Sequence, residues 1–84
     1  MEPLPIDWNR ATRIRAVKLD KITYEENFLV IELGEEVVST GELDKEFSDV
    51  EQQVLRQFPG IPDDWMTALE EATGPHDMTL WERS

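Results

Sequence analysis

The chain has 84 residues, with 8 Lys+Arg, 19 Asp+Glu, one His and no Cys, for a formal charge of −11. This length supports one domain around one core, burying about 60–65% of the surface that the unfolded chain exposes. Without Cys there is no disulfide framework, thiolate metal site or Cys nucleophile, and without an apolar run of about 18 residues there is no transmembrane helix.

The first residues, Met1-Glu2-Pro3-Leu4-Pro5, have neither the basic nor the apolar region of a secretory signal, and the expected location is cytoplasmic. High net charge favours disorder, but three Trp, three Phe and regularly spaced aliphatics supply a core. The charge is uneven. Residues 1–21 hold five cations against three acids, and residues 22–84 hold three cations against sixteen acids. Most of this surface repels a phosphate backbone, which argues against nucleic-acid binding. The same field attracts a basic partner.

Residues 1–7 read as extended, because Pro3 and Pro5 each push the preceding residue out of the helical region. Asp7-Trp8-Asn9-Arg10 then reads as a turn into the first strand, 12–20. Ile14 and Ala16 share one face of that strand and Arg13 and Arg15 the other. Val17 and Leu19 then take the opposite phase, a slip that predicts a bulge or a strand covered on both faces at one end. Residues 22–24 either continue this strand or begin a turn, and Glu25-Glu26-Asn27 is turn-like. Residues 28–33 are the strongest strand, with Leu29, Ile31 and Leu33 on one face and Phe28 and Val30 on the other; it is expected to be central. Gly34-Glu35 fits a two-residue hairpin loop of type II′, and 36–40 is the return strand.

Leu43, Phe47, Val50, Val54 and Phe58 recur at spacings of 4, 3, 4 and 4, one stripe of an amphipathic helix. Ser48-Asp49-Val50-Glu51 has the form of a capping box that starts the helix at Asp49, with Asp44 a competing start one turn earlier. Phe58-Pro59-Gly60 stops it. A second helix opens at Pro62, with Asp63 and Asp64 at the positive end of its dipole and Ile61, Trp65 and Leu69 as its buried stripe. Gly74-Pro75 ends it, and the alternating segment 78–82 reads as a last, edge strand. The predicted fold is therefore α+β: a single small domain over 1–84, in the order strand-strand-strand-helix-helix-strand. An antiparallel sheet of about four strands is covered on one face by two helices, with a strongly curled, barrel-like form as the alternative.

Few residues suggest chemistry. His76 with Asp77 has the composition of a base and its orienting acid, but neighbours on a strand point to opposite faces, and no second His offers a metal partner. The adjacent carboxylates Glu25-Glu26, Glu35-Glu36, Asp63-Asp64 and Glu70-Glu71 lie at turns and helix ends and lack an EF-hand pattern. Four glycines make no phosphate loop, and no Ser has a nucleophile-elbow context. No catalytic, cofactor-binding or metal-ligating residue is assigned, and an enzyme is the least favoured reading. Trp65 belongs to the core, whereas Trp8 and Trp81 are expected to pack together and close the domain, with a neighbouring Arg over one ring.

The segments Leu4-Pro5-Ile6-Asp7-Trp8, Lys18-Leu19-Asp20-Lys21-Ile22-Thr23-Tyr24, Gly41-Glu42-Leu43-Asp44, Phe58-Pro59-Gly60-Ile61-Pro62 with Trp65, and Leu80-Trp81-Glu82-Arg83 resemble a group of small acidic bacterial proteins of uncharacterised function over nearly the whole chain. That resemblance implies a compact α+β domain of a bacterial cytoplasm and no reaction. In size and charge the chain is also similar to some bacterial immunity proteins, which bind a toxin, often through an acidic face.

The leading expectation is a non-catalytic protein-binding module. Its acidic face, drawn from Glu42, Asp44, Glu46, Asp49, Glu51, Asp63 and Asp64, docks a protein with a basic surface. An immunity- or antitoxin-like inhibitor is one form of it. The alternative is a self-associating structural or regulatory domain, a monomer or weak homodimer, that uses a solvent-facing basic row of Arg13, Arg15 and Lys18.

Overall fold

The computed structural model describes residues 6–20 and 24–83. A short 3-10 turn (Trp8–Arg10) leads into β1 (Arg13–Asp20), β2 (Glu25–Leu33) and β3 (Glu36–Gly41); α1 (Phe47–Gln57), α2 (Trp65–Glu71) and β4 (His76–Glu82) follow. The expected extended segment at Pro3 and Pro5, and the reading of Ile22-Thr23, lie outside the described residues. The sheet has the order β3-β2-β1-β4, with every neighbouring pair antiparallel. It has two free edges and is not closed, so the barrel-like alternative does not hold. A hairpin meander builds β1 to β3. The chain then leaves one edge and crosses two strands to reach the free edge of β1, and the two helices make that crossing over one face. This is the predicted element order, with the last strand now placed beside the first.

The core lies between that face and the helices. Ile14 and Ala16 of β1 and Leu29, Ile31 and Leu33 of β2 meet Phe47, Val50 and Val54 of α1 and Trp65 and Leu69 of α2. Each fully buried aliphatic or aromatic side chain contributes about 1.5–3 kcal/mol. The central position of β2 follows from its apolar content on both faces. At the β2–β3 turn Gly34 has φ +70°, and no other residue there has positive φ, the signature of the expected type II′ turn.

The apparent slip in β1 is not a slip. β1 and β2 pair without interruption from Arg13↔Glu32 to Asp20↔Glu25. Val17 and Leu19 continue the phase of Arg13 and Arg15, and Lys18 continues the core-facing phase of Ile14 and Ala16. The bulge is on β4 instead: Ile14 faces Trp81 while Arg15 faces Thr79, leaving Leu80 as the extra residue. It lets consecutive Leu80 and Trp81 both pack against the core, which strict alternation forbids.

The helix starts also differ from expectation. α1 begins at Phe47 with Glu46 as N-cap, and Ser48 is an exposed first-turn residue rather than a cap. Asp44 instead accepts a hydrogen bond from the Gly41 amide at 2.8 Å, closing a turn that holds Leu43 away from the helix. Leu43 is consequently 69% exposed, not part of the buried stripe. α2 begins at Trp65, because Pro62, Asp63 and Asp64 form a turn before it. At the other end of the molecule Trp8 and Trp81 close the domain through a shared neighbour. Phe58 stacks on Trp8 edge-on at 5.9 Å and on Trp81 at 4.4 Å, and the Arg83 guanidinium lies 5.8 Å from the Trp81 ring.

Candidate functional site

The acidic residues are drawn together by three short stretches: the 42–46 turn, the start of α1 and the 62–64 turn before α2. Phe47 and Trp65, the first residues of the two helices, meet at 6.3 Å between ring centroids, so both helix starts lie at one end of the helical layer. Hydrogen bonds fix the first turn. The Glu42 amide donates to the Asn27 carbonyl at 2.9 Å, and the Asn27 amide donates to Glu42 Oε1 at 3.3 Å. The Asp44 amide donates to the Gly41 carbonyl at 2.9 Å, and the Phe47 amide to the Asp44 carbonyl at 3.2 Å.

Not all seven acids serve one surface. Asp44, Asp49, Asp63 and Asp64 are exposed, as is Glu42, while Glu46 is half-buried as the N-cap of α1. Glu51 turns inward: its Oε2 accepts the indole N–H of the buried Trp65 at 2.9 Å. Glu51 is therefore a structural partner of the core, and the exposed acidic surface is Glu42, Asp44, Asp49, Asp63 and Asp64, with Glu46 half-buried beside them. Asp49 sits in the first turn of α1, where its charge also complements the helix dipole.

The electrostatics separate this end from the sheet. Among the described residues the ion pairs are Arg10–Glu36, Arg13–Glu32, Arg15–Glu32, Arg15–Asp77 and Lys18–Glu25. All join strands or their flanks, and none uses an acid of the helical end. Between residues 42 and 72 the chain holds only Lys45 and Arg56 as cations. The acidic end thus keeps its field, and the exposed Leu43 stands within it. Sequence spacing placed Leu43 in the core; the Gly41 that precedes this turn was the available signal that the stripe starts later.

The expected basic row does not exist as a unit. Arg13 and Arg15 lie on the sheet face opposite the helices. Arg13 grips Glu32 with two nitrogens, Nε to Oε2 at 2.9 Å and Nη2 to Oε1 at 3.2 Å. Arg15 Nε reaches the same Oε2 at 2.9 Å, and its Nη1 pairs with Asp77. The hydrogen bond from Arg13 holds the Glu32 carboxyl below its ordinary pKa, and the hydrogen bond to Glu32 raises that of Arg13. Lys18 points the other way. It is 6% exposed on the core face, and its Nζ donates to the carbonyls of Glu70 at 3.1 Å and Ala72 at 2.6 Å while pairing with Glu25 at 2.9 Å. It is a clamp on the C-terminal end of α2, where a cation also meets the negative end of the dipole.

His76 and Asp77 occupy successive positions of β4. His76 is opposite the core-facing Lys18 and Asp77 opposite Val17, so they point to opposite sides and form no acid–base pair. An open groove of about 340 Å³ runs past Val17, Lys18, Leu19, Pro75, His76 and Asp77. The Lys18 ammonium beside it already has three oxygen partners, and Asp77 is paired with Arg15. This is a crevice at the sheet edge without a free nucleophile or base–orienter pair. Among the described residues no helix is long and apolar enough to cross a membrane. Comparison with known proteins returns no protein family, no curated protein and no solved structure that matches the chain.

Proposed function

We propose that this protein is a non-catalytic binding module of a bacterial cytoplasm that docks a protein with a basic surface at its acidic helical end. The observation that carries this reading is the combination at the 42–46 turn: an apolar side chain, Leu43, 69% exposed, among acids that no described cation pairs. An exposed aliphatic side chain with a charged surround has the form of an interface anchor with a polar rim. The field from Glu42, Asp44, Asp49, Asp63 and Asp64 speeds encounter with a basic surface and rejects acidic ones. Inhibition of a basic toxin by an immunity-type protein is one form of this function.

The test compares three tagged chains incubated with cytoplasmic extract of the source cell: native, Leu43→Ser, and a variant with Glu42→Gln, Asp63→Asn and Asp64→Asn. The native chain is expected to retain a basic protein that is released in about 1 M NaCl, where charges are screened beyond about 3 Å. Both variants are expected to melt like the native chain and lose that protein. Retention of the same protein by both variants, or of acidic proteins only, refutes the reading.

A further inference from the structure

The sheet face opposite the helices is the second surface of interest, because both helices pack on the core face and no described element covers the other. Down β1 this open face carries Arg13, Arg15, Val17 and Leu19. Down β2, in register with them, it carries Glu32, Val30, Phe28 and Glu26. The two central strands are thus complementary rows, with cations on β1 beside an acid on β2 at one end, and Val17 beside Phe28 further along. The face is also flattened. A Cβ on Gly41 would come within 2.8 Å of Phe28 Cε2, so the Phe28 ring lies across the glycine on β3 instead of standing off the sheet. Leu19 and Val37, at opposite corners of this face, are 40% and 60% exposed.

We infer that a second copy of this chain docks on this face, with a two-fold axis running parallel to the strands between β1 and β2. That axis lays β2 of one copy over β1 of the other and keeps the rows aligned. Glu32 then faces the partner's Arg13, and Phe28 faces the partner's Val17. Aligned sheets pack about 10 Å apart and rotated by about 30°, which preserves this match at the centre of the face. The symmetry is what makes the surface self-complementary: an axis perpendicular to the strands would instead set Arg13 of one copy against the apolar end of the other. The inference is independent of the acidic docking end, because it uses none of the residues of the 42–46 turn, the start of α1 or the 62–64 turn.

The area sets the strength. Four strands about 4.8 Å apart and about 7 residues at 3.3 Å each give a face of roughly 19 by 23 Å. Two such faces bury on the order of 1,000 Å², the range of weak, transient complexes. Each copy carries −11, so the association is measured with about 0.15 M NaCl present to screen the repulsion.

Sedimentation equilibrium from about 10 μM to 1 mM is the assay. The native chain is expected to rise from 9.8 kDa toward twice that mass. Arg13→Glu sets Glu against the partner's Glu32, and Glu32→Arg sets Arg against the partner's Arg13; each single variant is expected to weaken association at least tenfold. An equimolar mixture of the two variants restores both intermolecular pairs and is expected to associate within about threefold of the native chain. Folding of each is checked by near-UV circular dichroism, and Val17→Glu, which charges the apolar half of the face, is expected to abolish association on its own. A native chain that stays at 9.8 kDa at 1 mM overturns the inference, as does a mixture no better than its components or a Val17→Glu protein that associates normally.

Discussion

Lys18→Met removes a charge and leaves its stem. In the native protein the ammonium serves three oxygens: the carbonyls of Glu70 and Ala72 and the carboxylate of Glu25. Hydrogen bonds to a charged group contribute about 1.5–3 kcal/mol net, and fully buried pairs cost about 3–5 kcal/mol when one partner is removed. The lower range applies, because the Glu25 side chain is half exposed and water can reach it once the lysine is gone. Met also relieves the cost of burying an ammonium, since Lys18 is buried on the core face. The expected loss is about 2 kcal/mol, with an unchanged urea m-value. In a domain of this size that is a fall in Tm of roughly 8–16 °C. Hydrogen exchange adds a local reading. The Ala72 amide, bonded to the Leu69 carbonyl at 3.2 Å, is expected to lose protection before the amides of β2, because the clamp holds the end of α2 specifically. A loss below about 0.5 kcal/mol, or α2 protection equal to that of the native chain, would refute the clamp.

Gly41→Ala should cost about 1–3 kcal/mol, since its Cβ collides with the Phe28 ring and with the Glu26 carboxylate, and adding Phe28→Leu should recover part of it; strictly additive losses in the thermal melts would count against the contact. Leu43→Ala should change stability by less than about 0.5 kcal/mol and Leu69→Ala by about 2–5 kcal/mol in urea unfolding, so equal losses would contradict the separation of Leu43 from the helix stripe. Glu32 has a folded pKa held below its unfolded value by Arg13, so its stabilisation is complete above about pH 4.3 and is lost as pH falls through the lower folded value; the melting temperature of Glu32→Gln should fall less steeply than native over that acid range, and parallel curves would show that the pairing contributes nothing. Moderate NaCl should raise the native Tm by relieving self-repulsion at −11, and a steady fall with added salt would contradict this.

The local pattern determined much of this protein. Apolar residues on both faces marked β2 as central, Gly34 selected its turn, and the 3–4 spacing from Phe47 to Val54 marked a helix with one apolar side. These follow from the period of the backbone and the φ that a turn requires, both fixed within a few residues. The acids of the candidate site were legible as a composition, because each stands at a turn or helix start where charge is tolerated. Their convergence at one end was not, since it depends on Phe47 meeting Trp65 across two helices. Tertiary structure also decided the edge that β4 takes, the bulge that turns Leu80 and Trp81 inward together, and the diversion of Glu51 to the Trp65 indole. Lys18 shows the reason most directly. Alternation had already put it in phase with Ile14 and Ala16, yet a lysine on a core-facing phase is allowed only where acceptors await its ammonium. Those acceptors are carbonyls 52 and 54 residues further along the chain, at the end of a helix whose position only the packed fold defines.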